Sequence, residues 1–318
     1  MALNSKLAKE NNVQVREMIE QKQKSRSFLT IFEKIIPILL FLFATLSIIT
    51  TIGIIYTLLI ETIHFFSAVP IWDFFSGTNL KPLSQNPEFG VLPLLNGTII
   101  SSLIAMLVAG PIGLMAAIYL SEYASDKVRR ILKPLLEVLA GIPTIVYGFF
   151  AFTFVTPVIR SIWPDVAATN ILSPGIVMGV MIIPMIASLS EDAMNAVPNS
   201  IREGALAMGA TKLESTFKIV IPAALSGIIS SFVLGISRAI GETMIVTIAS
   251  GSSKNFTFDI TQSMQTMTAY IVEVAGGEAP AGSTIYYSLY AVAMTLFVFT
   301  LIMNLLARYI SRKFREEY

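Results

Sequence analysis

Cysteine is missing altogether, and histidine occurs once, at His64. The first absence excludes disulfides, thiolate-held metals and a cysteine nucleophile; with a single histidine there is little basis for a histidine metal site either. Charge is scarce too: Asp, Glu, Lys and Arg make up 14% of the 318 residues, where a soluble chain carries roughly a quarter. The net charge of +1 points to neither nucleic acid nor an acidic partner. No GxxxxGK[ST] phosphate loop occurs, so the chain carries no nucleotide site of that kind. There is no repeat at a period of about 20–50 residues, and no pair of halves with the inverted similarity of many secondary carriers. No acids pair at metal-ligand spacing, which argues against an intramembrane enzyme. The expectation is a chain that is not an enzyme and needs no cofactor.

What fills the space is apolar. Hydrophobic residues make up 54% of the chain and the mean hydropathy is +0.71, which places it among all-α polytopic membrane proteins. Six spans are expected, at about 35–60, 91–120, 135–159, 171–188, 223–250 and 286–307. Residues 1–34 form a polar tail, read as either a surface helix or a mobile segment, and 308–318 a second tail. The first tail is too long and too mixed in charge for a signal peptide, so the first span reads as an uncleaved anchor. Within the second span Pro111 predicts a kink. The third opens with Glu137 and contains Gly141-Ile142-Pro143. Residues 251–284 read as a polar, glycine-rich loop.

Orientation follows from the basic residues. The first tail holds seven Lys or Arg, the loop between spans two and three holds four, the 189–222 loop three and the last tail four. The alternate loops hold only Lys81, Arg160 and Lys254. Positive residues stay on the cytoplasmic side, so both termini and the 189–222 loop are expected there.

That loop has its own pattern. Ser200-Ile201-Arg202-Glu203 and Thr211-Lys212-Leu213-Glu214 each fit a capping box, and Gly209 between them is a natural helix stop. Two short helices around a tight turn are predicted, ending at Pro222. Ile201, Ala205 and Met208 would share one apolar face; it either caps the bundle or receives a protein partner. Beyond Pro222, Arg238 and Glu242 stand four apart in the fifth span and would share a helix face. An arginine at mid-bilayer costs about 2.5–3.5 kcal/mol on insertion scales, so neither should face lipid. Either the two form an ion pair that fixes helix register, or the guanidinium fork lines an anion path with Glu242 holding it when empty. Glu137 is a second intramembrane acid or a side chain snorkelling to the interface.

The spacing of Glu203-Gly204-Ala205, Gly209, Ile219 and Ile221-Pro222 resembles the EAA signature of ABC-importer permeases, with Gly204 and Ile221 departing from the usual Ala and Leu. The segments SRAIGETM from Ser237, EVLAGIPTIVYG from Glu137 and PIGLMAAIYLSEYA from Pro111 are similar to the phosphate-importer branch. Met244 after Gly-Glu-Thr is closer to its PstC type than to its PstA type. The likeness covers about 96–251, with a looser fit through the last span. It implies a MetI-like, type I importer permease fold and an inner-membrane subunit that moves inorganic phosphate into the cell. The implied partners are a homologous PstA-like permease subunit, a cytoplasmic PstB-like ATPase dimer and an extracytoplasmic PstS-like phosphate-binding protein. Arg238 and Glu242, with Glu137 behind them, would be the path residues. Glu203, Gly204, Ala205, Gly209, Ile219 and Pro222 would form the ATPase-coupling loop. The arginine fork does not separate phosphate from sulfate or molybdate, so another oxyanion remains the alternative cargo. A secondary transporter is the other class. Six spans make a poor pore alone, so a second permease chain is expected on any account.

Overall fold

The computed structural model describes residues 2–277 and 279–313. Chain contacts divide it into two units, 1–57 and 58–318. The first is helical; α1 runs from Ala2 to Ala68, and its apolar part, Ile35–Ala68, is long enough to cross a bilayer. The expected end of that span near residue 60 lies two turns too early, because the apolar run continues through Phe65 and Phe66.

In the second unit a short helix, α2 (Ile71–Ser76), leads to a two-stranded hairpin. Its strands β1 (Leu80–Lys81) and β2 (Glu88–Phe89) are antiparallel, with Leu80 opposite Phe89. Next comes α3 (Leu92–Ile118), prolonged by a π-turn at Tyr119–Tyr123. Pro111 lies inside it without ending it; in a bundle, neighbouring helices accommodate the lost backbone bond.

The third span departs from expectation. Residues 126–141 form an amphipathic helix, α4 (Asp126–Gly141), with no fully buried residue. The chain turns extended at Ile142, where φ is −68° and ψ 128°, because the residue before a proline is driven out of the helical region. A second helical stretch starts beyond Pro143: α5 (Thr144–Phe150), a π-turn and α6 (Thr156–Ile162). The membrane-length element is thus Thr144–Ile162, and Glu137 precedes it rather than opening it. Tyr147 braces the elbow by donating its hydroxyl to the Leu139 carbonyl at 2.8 Å.

α7 (Leu172–Asn195) is the most enclosed of the apolar spans. It crosses α3 at small residues: a Cβ on Gly179 would lie 2.6 Å from Cβ of Val108 and 2.8 Å from the Ala105 carbonyl. That approach lets the two helices share a core of Ala105, Ala109, Met178, Ile182 and Ile186, the small-residue contact by which helices associate in lipid.

After α8 (Asn199–Ala207) and α9 (Lys212–Ser215), a π-turn at Thr216–Val220 and a single turn, α10 (Ile221–Ala223), lead to α11 (Leu225–Ile240). The stretch Lys212–Ala223 meets Leu225–Ile240 at 69°, so the fifth span is bent. Nor does it run on to residue 250: α11 stops at Ile240, and α12 (Met244–Ala249) starts again beyond Gly241, Glu242 and Thr243. The 251–284 loop contains a buried helix, α13 (Met267–Gly276), whose Tyr270 is fully enclosed. The last span is α14 (Thr284–Lys313). Among the described residues five helices are long and apolar enough to cross a membrane, six with the bent pair counted as one.

Candidate functional site: an arginine-lined cavity and the helical turn beneath it

Arg238 sits in the last turn of α11 with its side chain exposed. It helps line a cavity of about 420 Å³ whose other walls are Lys133, Leu136, Glu137 and Ala140 of α4 and the stretch of α7 from Met181 to Asp192. Arg238 and Glu137 therefore meet at one cavity. They do so because α4 lies across α7 as a separate helix, not because Glu137 is inside a span.

Glu242 is placed elsewhere. It makes no ion pair with Arg238 among the described residues and does not line that cavity. The helix that would have put the two on one face ends between them. Glu242 Oε1 instead accepts from the backbone N–H of Met244 at 3.1 Å and, at 3.5 Å, of Ile245, supplying α12 with the acceptor its first turn needs. The Glu242 carbonyl in turn accepts from the Thr268 hydroxyl of α13 at 2.7 Å. A short carboxylate bond to nearby backbone competes with helix continuation, and Gly241 offers no side chain to resist it. The break behind Arg238 is thus built, not frayed.

The polar turn before α11 has one of its two expected boxes. Thr211 Oγ1 accepts from Glu214 N at 3.2 Å, and Glu214 Oε2 from Thr211 N at 3.1 Å. The Ser200 box is absent: α8 starts at Asn199 behind Pro198 with no side-chain cap, so Ser200 is already inside the helix. Gly209 has φ +89°. Gly209 N donates to the Leu206 carbonyl at 3.0 Å and Ala210 N to that of Ala205 at 3.1 Å, the bond pair of a Schellman stop.

The expected apolar face divides between its two readings: Ile201 and Ala205 cap the bundle, and Met208 points outward. Ala205 is buried and Ile201 packs against Met194, Val197, Val220 and Ala224, so that side caps the bundle. The outward apolar side chains are Leu206, Met208, Leu213 and Phe217, with Met208 88% exposed. Glu203 and Gly204 are exposed, Ile219 half-buried and Pro222 exposed.

Between cavity and turn lies a polar network that the sequence reading missed. Arg202 of α8 donates to Glu122 at 3.2 Å, to the Val197 carbonyl at 2.7 Å and to Asn199 Oδ1 at 2.9 Å. Glu191 of α7, with no exposed side-chain surface, is 2.9 Å from Lys133 and 3.5 Å from Arg129. Asn195 joins the two groups: its amide donates to Glu191 at 3.2 Å and its oxygen accepts from Ser121 at 3.0 Å. A buried charge is tolerable only when paired and hydrogen-bonded; this one is paired at both oxygens but hydrogen-bonded only at Oε1, so Oε2 rests on Lys133 alone.

Comparison with known proteins gives a consistent answer. Residues 109–316 match the model for the binding-protein-dependent transport system inner membrane component. A probable ABC transporter permease of Bacillus subtilis, YqgH, is 33% identical over 76% of this chain and 78% of its own length. The phosphate transport system permease protein PstC of Mesorhizobium japonicum is 32% identical over 75% and 77%. PstC 1 of Mycobacterium tuberculosis is 34% identical over 71% and 73%. Among solved structures, a chain of a bacterial alginate ABC transporter superposes with a TM-score of 0.61 at 16% identity, covering 86% of this chain and 94% of that one. A chain of the MetNI methionine ABC transporter gives 0.55 at 18%, covering 71% and 95%. At such identities these two show the fold alone.

Proposed function

This chain belongs to the family of binding-protein-dependent transport system inner membrane components, and on that premise we propose that it is the permease subunit through which an ATP-driven importer carries inorganic phosphate into the cell. The observation that carries the reading is Arg238: an exposed guanidinium at the end of a membrane helix, opening onto a cavity, with the helix broken immediately behind it. A planar fork of donors suits a tetrahedral oxyanion. Glu137 shares that cavity. Glu242 holds the break that ends α11 beside Arg238 and acts as a positioning residue rather than as the arginine's partner. The choice of phosphate over sulfate or molybdate is supported by the SRAIGETM segment and by the PstC relatives.

The turn formed by α8 and α9 is the element that a separate cytoplasmic ATPase would grip, through Leu206, Met208, Leu213 and Phe217 on its outer side. A second permease subunit would complete the path, and an extracytoplasmic binding protein would deliver the anion. Both termini would then be cytoplasmic, in line with the distribution of Lys and Arg. The test is uptake of radiolabelled phosphate by the complete complex in proteoliposomes with ATP inside. Uptake should need the binding protein and ATP, resist excess sulfate and molybdate, and fall to background in Arg238→Ala although the complex still assembles. Normal uptake by Arg238→Ala would sink the path assignment, and competition by sulfate would change the cargo.

A further inference from the structure

A second cavity lies where α11 packs against α14, and its chemistry differs from the first. It measures about 500 Å³ and is lined by Ser230, Val233 and Leu234 of α11 and by Asn304, Arg308 and Arg312 among the residues of α14. Among the described residues no Asp or Glu lines it, whereas the Arg238 cavity has three carboxylates on its walls. Arg308 and Arg312 stand one helical turn apart, both exposed, and take part in none of the ion pairs among the described residues.

Among the neighbouring polar groups, Asn304 keeps its donors free. The Ser237 hydroxyl donates to Asn304 Oδ1 at 2.7 Å, which occupies the amide oxygen and leaves the amide N–H groups to donate. The Ser230 and Ser311 hydroxyls meet at 2.8 Å and both reach the Ser226 carbonyl, at 2.8 and 3.2 Å, so their protons are engaged within the fold. Leu234 beside the cavity and Leu305 on α14 are apolar and about half exposed, so a polar recess adjoins an apolar helix surface. The recess lies at the end of a span, at the depth where headgroups sit when the apolar part of α14 is in hydrocarbon.

We propose that this recess between α11 and α14 is a binding site for a phosphate group at the membrane edge, held by the Arg308 and Arg312 guanidiniums with Asn304 as a further donor. Basic pockets between membrane helices are suited to anionic headgroups, and two arginine forks suit a phosphodiester better than two ammonium points. The same chemistry would take the phosphate of an anionic lipid or free inorganic phosphate. The site does not depend on what the Arg238 cavity transports, since no residue lines both.

The experiment is native mass spectrometry of the purified complex, titrated with phosphatidylglycerol, with phosphatidylcholine or with inorganic phosphate. Wild type should retain phosphatidylglycerol over phosphatidylcholine, and Arg308→Gln with Arg312→Gln should weaken that binding about tenfold or more. Arg160→Gln, which removes a basic residue outside the recess, should leave it unchanged. Displacement of the lipid by millimolar inorganic phosphate would identify a free anion as occupant; no displacement identifies the lipid, and either fits the site. Should the double Gln variant fail to assemble, Arg308→Lys with Arg312→Lys keeps both charges and should still weaken binding about threefold by losing the forks. Equal retention of the two lipids together with no inorganic phosphate bound, or binding unaffected by substitutions at both arginines, would overturn the proposal.

Discussion

Arg202 of α8 and Glu122 at the end of α3 are joined across 80 residues of sequence by a 3.2 Å bond from Nε to Oε1, and both side chains are largely buried. The same guanidinium donates to the carbonyls of Met194 and Val197 at the end of α7. The helix that the proposed function gives to the ATPase is therefore pinned to the two most intimately packed membrane helices by a single side chain. Together with Ile201, which packs against Met194 and Val197, Arg202 is a contact through which motion of α8 would reach α3 and α7.

Removing one partner of that pair should cost more than a surface ion pair, because the remaining charge is left desolvated. Arg202→Met should lower the unfolding stability of the purified complex by about 3 kcal/mol. Glu122→Gln, which keeps an acceptor for the guanidinium, should cost less. In the assembled transporter Glu122→Gln should raise ATP hydrolysis relative to uptake. An unchanged ratio of turnover to uptake would show that the contact only holds the fold.

Glu242 offers a separation of charge from hydrogen bonding. Its Oε1 serves two backbone donors of α12, and a glutamine oxygen can do the same. Glu242→Gln should therefore unfold like wild type and keep most of its uptake. Glu242→Leu removes the acceptor and should lose about 1 kcal/mol and most of the uptake. If Glu242→Gln folds normally but transports nothing, the carboxylate charge acts on the path directly.

These assignments show what the residue pattern can and cannot convey. The apolar runs mark the spans because a bilayer demands about 20 apolar residues per helix, and Gly209 and the Thr211–Glu214 box mark the turn because both act within a few residues. The break at Ile142 was equally local: Pro143 stood in plain view, but apolar residues on both sides drew one span across it. The break at Gly241 is local only in part, through the Glu242 cap. It is held partly by Thr268, 26 residues further on, and contains no proline. Glu191 was illegible for the same reason, since its partners Arg129 and Lys133 lie on another helix. Helical spacing left open whether Ile201, Ala205 and Met208 cap the bundle or face a partner, because it shows which residues share a side, not which side faces the bundle.

Gly209 tests the turn itself. A Cβ there would touch nothing within 4 Å, yet φ is +89°, so any cost of a side chain comes from the backbone alone. Gly209→Ala should destabilise by about 1 kcal/mol and Gly209→Asn by less, since asparagine tolerates the left-handed region. Thermal unfolding of the three proteins checks the order. Equal stability would mean that the turn adopts another conformation without loss. In the complex, Gly209→Ala should loosen ATPase retention if the Schellman turn orients Met208 for contact.

Glu191 and Lys133 provide the most stringent check on the buried network, because the two partners are unequally buried. Glu191 has no exposed side-chain surface and Lys133 keeps 37% of its own. Lys133→Gln leaves the fully buried Glu191 carboxylate with Arg129 at 3.5 Å and Asn195 at 3.2 Å, both on Oε1, and takes the only cation from Oε2, so it should cost about 3 kcal/mol. Glu191→Gln removes the buried charge and leaves two cations that are each about a third exposed, so it should cost less, about 1 kcal/mol. Replacing both, Glu191→Gln with Lys133→Gln, should recover part of the Lys133→Gln loss, because no buried carboxylate then remains to be paired, although Arg129 still lacks its partner. Denaturant unfolding of the four proteins gives the coupling directly as the departure from additivity. A Glu191→Gln loss as large as that of Lys133→Gln would mean that the cost does not come from leaving the buried carboxylate unpaired.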